Sequence, residues 1–466
     1  MARGRKKETL TPEERLRAAL VPESEQPYTV PRNWCWTQLG TYIDFATDYV
    51  ANGSFASLKQ NVAYYKEENY AILVKTQDFS NSFTEDLTYT DKRGYDFLKK
   101  SVLYGGELIL SNIGSIGKVF RVPHLNKPMT LAPNSIMIKC YRETDYDLLY
   151  YYFLSPFGTE QLYSITTGTA VKKFNKTDLK TICLPLPPLS EQQRIVDRIE
   201  SLFAKLDEAK QKAQDALDSF ETRKAAILHK AFTGELTAQW RKEHGVGMES
   251  WDNTTLSKIV IGFKYGTSEK SDYSYKGMPV FRIPNITDDG LSFEDLKFLS
   301  HKDISDENQI HENDILIVRS NGSRELVGKS VLVPQLDREY AYASFLIRIQ
   351  PLESVVPNYL VMYLNSTDAR MQMFKKAKSS AGINNINSKE LGAILINLPS
   401  FSEQAEIVRI LDNLLAKEQL AKEAAEGVLE QIDLIKKAIL ARAFRGELGT
   451  NDPGEESAVE LLKQVL

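Results

Sequence analysis

The sequence has few of the features that mark secreted or membrane-spanning proteins. Its three cysteines in 466 residues are too few and too widely spaced for a disulfide framework. The longest uninterrupted apolar run, residues 148–154, is far shorter than the ~18 residues of a membrane-spanning helix. The first residues, MARGRKKE, lack the apolar segment of a signal peptide. These absences predict a soluble, cytoplasmic protein that does not act at a membrane.

An excess of one charge and the common catalytic motifs are also lacking. Lys and Arg number 58 and Asp and Glu 62, which excludes a uniformly basic nucleic-acid binder but leaves local basic surfaces open. The five histidines show no metal-ligand spacing. Residues 322–330 resemble a phosphate-binding loop, but five residues separate the glycines where that motif has four. We therefore predict that the chain is not an enzyme and itself holds no metal or cofactor.

An internal repeat is the strongest positive signal in the sequence. Two pairs of segments match, namely LPLPPLSEQ with INLPSFSEQ and AILHKAFTGEL with AILARAFRGEL. The first pair aligns Ser190 with Ser402 and the second aligns Glu235 with Glu447, both at an offset of 212 residues. Because the offset is the same at both ends, the segment between them has one length in both copies. The chain is therefore two copies of a unit in which a globular domain precedes a long helix.

Apolar residues recur in each copy with the four-three spacing of a coiled-coil seam. The apolar residues of the seam include Ile195, Ile199, Leu202, Leu206, Ala213 and Phe220 in copy one and Leu411, Leu414, Ala421, Ala425, Val428, Ile432, Ile435 and Ile439 in copy two. An antiparallel pair with Ala213 opposite Ala425 places Leu206 opposite Ile432, so that small residues meet small ones and large meet large. A parallel pair would also match the alanines, and a further alternative is that each helix packs only on its own domain.

The helix ends also carry sequence signals. Ser190 and Ser402 are the expected N-caps, and Gln193 would complete a capping box in the first copy. Gly234 and Gly446 stand where a left-handed residue would end each helix. Each helix would then have about 43 residues and a length of about 65 Å, which corresponds to at most ~19 base pairs of DNA.

The fold class predicted from these patterns is α+β. Two mixed α/β domains, each with a mostly antiparallel sheet and a helical stretch near its end, would each be followed by a long helix, and the helices would pair as an antiparallel coiled coil with pseudo-two-fold symmetry. The predicted divisions are an N-terminal extension (1–32), domain one (33–183), helical region one (184–236), a linker (237–249), domain two (250–395), helical region two (396–448) and an acidic C-terminal tail (449–466).

Two loops at roughly matched positions are candidates for nucleic-acid contacts. Residues 166–176 and 375–385 are both small, polar and basic. Hydroxyls, amides, lysines and glycines are what phosphate positioning and the readout of base edges require. The alternative for either loop is an ordinary solvated surface.

The helical segments PLPPLSEQQRIVDRIESLFAKLDEAK and LPSFSEQAEIVRILDNLLAKE, with the two AIL…GEL ends, resemble the specificity subunit of type I restriction-modification enzymes. The resemblance covers nearly the whole chain. It implies two target recognition domains, each reading one half of a bipartite, asymmetric sequence in double-stranded DNA. It also implies helices that set the spacing and dock two methyltransferase subunits. Those subunits would carry S-adenosylmethionine and methylate adenine at N6, and restriction or translocase subunits would use ATP and Mg for translocation and cleavage.

Candidate DNA-contacting residues follow from side-chain chemistry and from matched positions in the two copies. They are Ser111, Asn112, Ser115, Lys118, Lys172 and Lys173 in domain one and Arg319, Asn321, Ser323, Arg324, Lys329, Asn384 and Asn385 in domain two. Arg319 or Arg324 could pair with guanine, and Asn384 or Asn385 with adenine. The alternative for Arg319 is a structural ion pair at a strand end. The alternative for the whole chain is a coiled-coil scaffold whose two domains bind protein or glycan.

Overall fold

A computed structural model describes residues 11–141, 145–380 and 382–466 of the chain. These residues form two compact units. Unit 1 contains the described residues up to Lys212 together with Val428–Leu466, and unit 2 is Ala213–Gly427. Each unit therefore contains one globular domain, the beginning of one long helix and the end of the other.

The first half of the chain contains ten α-helices and ten strands within its described residues. The helices are α1 (Pro12–Ala19), α2 (Leu39–Tyr42), α3 (Phe55–Asn61), α4 (Lys92–Phe97), α5 (Tyr146–Leu154), α6 (Pro156–Ser164), α7 (Lys176–Leu179), α8 (Leu189–Asp218), α9 (Phe220–Phe232) and α10 (Ala238–His244). The strands are β1 (Cys35–Gln38), β2 (Ile43–Asp48), β3 (Ala71–Val74), β4 (Tyr89–Thr90), β5 (Val102–Leu103), β6 (Leu108–Ser111), β7 (Val119–Arg121), β8 (Met129–Leu131), β9 (Ser135–Cys140) and β10 (Cys183–Leu186).

The second half repeats this order of elements with local differences. Its helices are α11 (Pro357–Leu364), α12 (Thr367–Lys376), α13 (Ser388–Gly392), α14 (Phe401–Ala443) and α15 (Ala458–Val465). Its strands are β11 (Asp252–Thr255), β12 (Val260–Tyr265), β13 (Pro279–Phe281), β14 (Lys297–Phe298), β15 (Ile315–Val318), β16 (Ser320–Asn321), β17 (Ser330–Leu332), β18 (Ala341–Tyr342), β19 (Leu346–Pro351), β20 (Lys378–Ser380), β21 (Ile383–Asn385) and β22 (Leu395–Leu398).

Each unit is built around a four-stranded antiparallel sheet. The strand order is β2-β9-β6-β7 in unit 1 and β12-β19-β15-β17 in unit 2. The central strands β6 and β15 read LILS and ILIV and are buried along their whole length, as expected for strands covered on both faces. A second sheet in each unit contains one parallel pair, β3 with β8 and β13 with β18. The mixed, mostly antiparallel fold predicted from the sequence is confirmed.

The helical stretch near the end of each domain is two helices rather than one. Ser155 and Ser366 adopt extended backbone conformations between α5 and α6 and between α11 and α12. Their hydroxyls accept the backbone N–H groups of Gly158 and Ala369, which caps the second helix of each pair. In the first copy Pro156 also disfavours helical geometry at the residue before it.

The two long helices differ in continuity. Helix α14 is a single helix of 43 residues, which confirms the predicted length for the second copy. The prediction is wrong for the first copy, where Ser219 separates α8 from α9. The Ser219 hydroxyl donates to the carbonyl of Asp215 at 2.8 Å, and the Arg223 guanidinium donates to the carbonyl of Ala216 at 3.2 Å. These side chains compete with the helix for its own carbonyl groups, and that competition explains the local interruption.

The helices begin two residues earlier than the sequence predicted. They start at Leu189 and Phe401, so Ser190 and Ser402 lie inside the first turn and are not the N-caps. In the second copy Ser400 takes that role, because its hydroxyl accepts the N–H of Glu403 at 3.4 Å. The C-terminal prediction is confirmed, since Gly234 has a φ of +82° and Gly446 a φ of +73°.

In unit 2 the two long helices pack against each other in antiparallel directions. Phe220 contacts Lys422, whose ammonium lies 5.0 Å from the ring centre. Three residues further along α9, Arg223 pairs with Glu418 at 2.8 Å. Residue numbers rise along one helix as they fall along the other, so the antiparallel direction is confirmed. The alternative of helices that contact only their own domains is wrong.

The seam is buried as predicted in most positions but not in all. Ala213 and Ala425, both 8% exposed, lie at its narrow part, where small side chains allow close packing. Fully or partly buried positions are Ile195, Ile199, Leu202, Leu206, Ala213, Phe220, Leu411, Leu414, Ala425, Ile432 and Ile439. The prediction is wrong for three residues that are exposed, Ala421, Val428 and Ile435. Beside Ala421 and Ile435, partly buried lysines pack inward instead, as Lys436 does over the ring of Phe203 at 5.0 Å, because a lysine stem can cover apolar surface while its charge reaches water.

The C-terminal end of each long helix completes the core of a domain. In unit 1 Phe444, at the end of α14, is buried and its ring lies 5.5 Å from that of Tyr152. In unit 2 Phe232, at the end of α9, lies 5.4 Å from Tyr359. Phe232 and Phe444 are separated by the 212-residue repeat offset. Equivalent residues thus fill equivalent places in the two units.

The segments at both ends of the described chain pack on domain one. Helix α15, within the predicted acidic tail, buries Ala458 and Leu462 in the core of unit 1. The N–H of Ala458 donates to the carbonyl of Asn33 at 2.9 Å. At the other end, Arg15 donates to the carbonyl of Leu466 at 2.9 Å. The described helices include none with the length and apolar character that a membrane crossing requires.

Candidate nucleic-acid interface

In unit 1 the two segments that the sequence singled out lie side by side. The loop after β6 is joined to the 166–176 loop by backbone hydrogen bonds. The N–H of Gly114 donates to the carbonyl of Lys172 at 3.1 Å, and the N–H of Phe174 donates to the carbonyl of Asn112 at 3.1 Å. The 166–176 loop is itself a hairpin, closed by paired hydrogen bonds between Thr167 and Lys173. The fold therefore brings the six domain-one candidates into one region of the domain.

These six candidates differ in how accessible they are. Ser115, Lys118, Lys172 and Lys173 are exposed. Ser111 is buried, and the side-chain amide of Asn112 donates to the carbonyl of Phe174 at 3.1 Å. The Oδ1 atom of Asn112 is also buried, without a partner among the described residues. Ser111 and Asn112 are thus placed to hold the loop, whereas the other four face solvent.

In unit 2 the corresponding hairpin forms a small sheet. Strand β16 pairs with β21 and β21 pairs with β20, so that Asn321 lies opposite Asn384 and Ser320 opposite Asn385. The N–H of Ile386 donates to the carbonyl of Arg319 at 3.0 Å. This pairing brings together four of the seven domain-two candidates, namely Arg319, Asn321, Asn384 and Asn385.

The remaining three domain-two candidates have different surroundings. Ser323 and Arg324 are exposed, and the Arg324 guanidinium donates to the carbonyl of Phe374 at 2.9 Å. Lys329 pairs with Asp288 at 2.8 Å, and this ammonium holds the pKa of the Asp288 carboxyl below its usual range. Lys329 lines a cavity of about 730 Å³ rather than the hairpin. In the same cavity wall, burial lowers the pKa of the Arg370 guanidinium to about 10, which leaves it charged at neutral pH.

Two aromatic residues that were not predicted from the sequence lie beside the domain-two hairpin. Tyr265 is 37% exposed and its ring lies 4.7 Å from the Arg319 guanidinium. Phe345 is 57% exposed and its carbonyl accepts the Arg319 N–H at 2.9 Å. Tyr265 is the last residue of β12 and Phe345 directly precedes β19. The sequence signal that could have identified them is an aromatic residue at the end of a predicted strand, next to a polar loop.

The Ser-Glu-Gln motif at the start of each long helix attaches the helix to its domain. Glu403 and Gln404 are fully buried. The Glu403 carboxylate accepts hydrogen bonds from Arg241 and Thr237, each at 2.7 Å, and from the Trp251 indole at 3.0 Å. A buried carboxylate needs such partners to offset its lost hydration.

The first copy builds the same attachment with neutral donors. Glu191 is also fully buried. Its carboxylate accepts hydrogen bonds from the Trp34 indole at 2.7 Å, from Thr450 at 3.0 Å and from Asn451 at 2.8 Å. Thr450 and Asn451 thus bring the C-terminal segment to the start of α8, in the way that Thr237 and Arg241 bring the linker to the start of α14.

These observations define a class of protein, a duplicated recognition module carried on an antiparallel helix pair. A family described as the type I restriction modification DNA specificity domain matches residues 50–217 and again residues 248–430. The chain belongs to this family. It is a specificity subunit of a type I restriction-modification system and recognises a DNA target.

Known relatives resemble the chain over most of its length. The type I restriction enzyme EcoKI specificity subunit of Escherichia coli K12 is 26% identical over 429 residues, which cover 87% of this chain and 90% of the relative. The EcoBI specificity subunit of Escherichia coli is 27% identical over 349 residues, covering 70% and 72%. The crystal structure of the HsdS subunit from Thermoanaerobacter tengcongensis shares the fold, with a TM-score of 0.64, 21% identity and coverage of 91% and 100%. The alternative of a protein- or glycan-binding scaffold receives no support.

Proposed function

We propose that each domain reads one half of a bipartite, asymmetric sequence in double-stranded DNA and that the helix pair sets the distance between the halves. The observation that supports this most is the polar hairpin found at the same place in both domains. Each hairpin lies next to the loop that follows a central sheet strand, β6 or β15. Exposed hydroxyl, amide and basic groups on such a hairpin suit contacts to phosphates and base edges.

The chain acts without catalytic chemistry of its own, within a larger cytoplasmic complex. Two methyltransferase subunits would dock along the helices, bring S-adenosylmethionine and methylate adenine. Restriction or translocase subunits would use ATP and Mg. Apolar side chains exposed on α14, including Leu420 and Leu434, support docking of protein partners along this helix.

Exchange of one domain tests this proposal. Replacing residues 33–183 with the first domain of another family member should change one half of the methylated sequence and leave the other half intact. The reason is that each domain has its own hairpin and its own core. Sequencing of methylated adenines in cells that carry the chimera and the methyltransferase partner reads both halves at once. The reciprocal exchange of residues 250–395 is the matched control, and a change in both halves after either exchange would contradict the proposal.

A matched insertion in the helices tests their role in spacing. Seven residues added after Ala213 and seven after Ala425 preserve the heptad phase and lengthen the pair by about 10 Å. Both alanines are buried, so the insertion extends the packed part of the pair. Both half-sites should be retained and the gap between them should grow by about three base pairs.

The control for this experiment is a matched insertion of five residues at the same positions. Five residues break the heptad phase, so this variant should lose sequence-specific methylation altogether. A seven-residue variant that keeps the original gap would show that the helices do not set the spacing.

A further inference from the structure

The two domains share a framework position that carries different residues. In unit 1 Asn112 follows β6, donates its N–H to the carbonyl of Asn134 and accepts the N–H of Phe174. In unit 2 Arg319 follows β15, donates its N–H to the carbonyl of Phe345 and accepts the N–H of Ile386. The two backbones are thus held in the same way on both sides. The side-chain amide of Asn112 donates to the carbonyl of Phe174. At this position, therefore, only the second domain presents a long side chain.

The Arg319 side chain is held in place by its surroundings. Its Nε donates to Oδ1 of Asn385 at 3.3 Å, and its Nη1 donates to the carbonyl of Ser344 at 3.4 Å. Its guanidinium lies 4.7 Å from the ring centre of Tyr265. A guanidinium has five N–H donors, so the Nη2 edge and one Nη1 donor remain available.

Arg319 differs in its surroundings from Arg282 and Arg370, two other arginines of unit 2. Within the described residues, no carboxylate lies within ion-pair distance of its guanidinium, whereas Arg282 pairs with Asp295 at 3.1 Å. Arg370 donates to the carbonyls of Val327 and Glu325 and lies in the cavity wall. The alternative of a structural ion pair for Arg319 is therefore not supported.

The aromatic ring beneath Arg319 is itself anchored. The Tyr265 hydroxyl accepts the N–H of Ser388 at 3.0 Å and lies 3.1 Å from the Ser388 hydroxyl. In unit 1 the equivalent positions are Asp48 and Lys176, which form an ion pair at 2.9 Å. Both domains thus tie the end of the same strand to the start of the same short helix. In unit 2 this connection leaves one face of the Tyr265 ring free to pack against the Arg319 guanidinium.

We propose that Arg319 reads a guanine in the second half-site and that Tyr265 and Asn385 position it for that contact. This inference rests on the proposed function of DNA reading. A planar, pre-oriented guanidinium with a free edge matches the O6 and N7 acceptors of guanine in the major groove. Positioning by a ring and an amide lowers the ordering cost of the contact, because the side chain is already held in its binding orientation.

The test uses the complex of the full chain with its methyltransferase partner and duplexes that carry the motif found by sequencing methylated adenines. Each base pair of the motif is changed singly, and the dissociation constant is measured for each duplex. Arg319→Ala should reduce discrimination by about 10- to 100-fold at one guanine of the second half-site and leave the first half-site unaffected. Arg319→Lys should lose most of that discrimination, because lysine keeps the charge but lacks the planar fork. Tyr265→Leu should lose part of it, and Tyr265→Phe, which keeps the ring but loses the hydrogen bonds to Ser388, should lose less than Tyr265→Leu.

Arg338→Ala is the matched control, because Arg338 is an exposed arginine of the same unit that contacts Asp337 and Tyr340. It should leave every dissociation constant unchanged. The assignment is overturned if Arg319→Ala weakens binding equally for all duplexes and is rescued by Arg319→Lys, which is the behaviour of a phosphate contact. It is also overturned if discrimination survives at every position. A wild-type complex that binds motif and non-motif duplexes equally would overturn both this inference and the proposed function.

Discussion

Residues 1–245 alone are expected to form a two-fold dimer that recognises an inverted repeat of the first half-site. This fragment contains domain one, α8 and α9, but it lacks the end of α14 that fills the core of unit 1. Phe444 normally packs there against Tyr152, and Phe232 of a second copy occupies the equivalent repeat position. A lone fragment would also expose seam residues such as Ile195 and Leu206. Burial of each such side chain is worth roughly 1.5–3 kcal/mol, so association is strongly favoured.

Sedimentation at several concentrations would measure the dimer, and sequencing of methylated adenines with the methyltransferase partner would read its target. Phe232→Asp is the control variant, because a carboxylate cannot replace the ring in the core of the other copy. It should convert the dimer to a monomer without altering domain one. A soluble monomer of the unmodified fragment, or a dimer that still read an asymmetric sequence, would show that the two copies are not equivalent halves.

Glu403→Ala should cost about 3–5 kcal/mol in the free energy of unfolding of unit 2, because it leaves the buried Arg241 guanidinium without its carboxylate. Glu191→Ala is the matched variant in the first copy, where the partners are neutral donors. Its cost in unit 1 should be smaller, about 1–3 kcal/mol, since only neutral groups lose a hydrogen bond.

Amide hydrogen exchange in urea, followed in β15 for unit 2 and in β6 for unit 1, reports the two units separately. Glu403→Leu combined with Arg241→Leu should recover much of the loss, because no unpaired charge then remains buried. Equal destabilisation by Glu403→Ala and Glu191→Ala would contradict the view that the charge of Arg241 makes the difference.

The sequence was sufficient for those parts of the fold that follow from repetition and periodicity. The 212-residue offset predicted two equivalent units, and the four-three spacing around Ala213 and Ala425 predicted the helix pair. The break at Ser219 could not be predicted, because it depends on a hydroxyl and a guanidinium competing for helix carbonyls. The exposure of Ile435 could not be predicted either, because the neighbouring Lys436 packs its stem inward over the ring of Phe203.

The candidate site was predictable only as a region. Matched polar loops in the two copies located both hairpins, because loop composition is a local property. Which side chain faces solvent is decided by tertiary contacts. The Asn112 amide is occupied by the carbonyl of Phe174, and Lys329 is drawn to Asp288. The position of the Tyr265 ring beside Arg319 depends on a hydrogen bond to Ser388, a residue more than a hundred positions further along the chain.

The division of the chain between the units has a consequence for its synthesis. Unit 2 is contiguous and contains all its parts once residue 427 has been made. The core of unit 1 is completed much later. The last strand of domain one ends at residue 186, but the core of this unit also needs Phe444 and Leu462. At ~5–20 residues per second, that interval is on the order of 15–55 s. During this time the surfaces that will receive the end of α14 and helix α15 are uncovered on the ribosome, so the domain made first is the last to be finished.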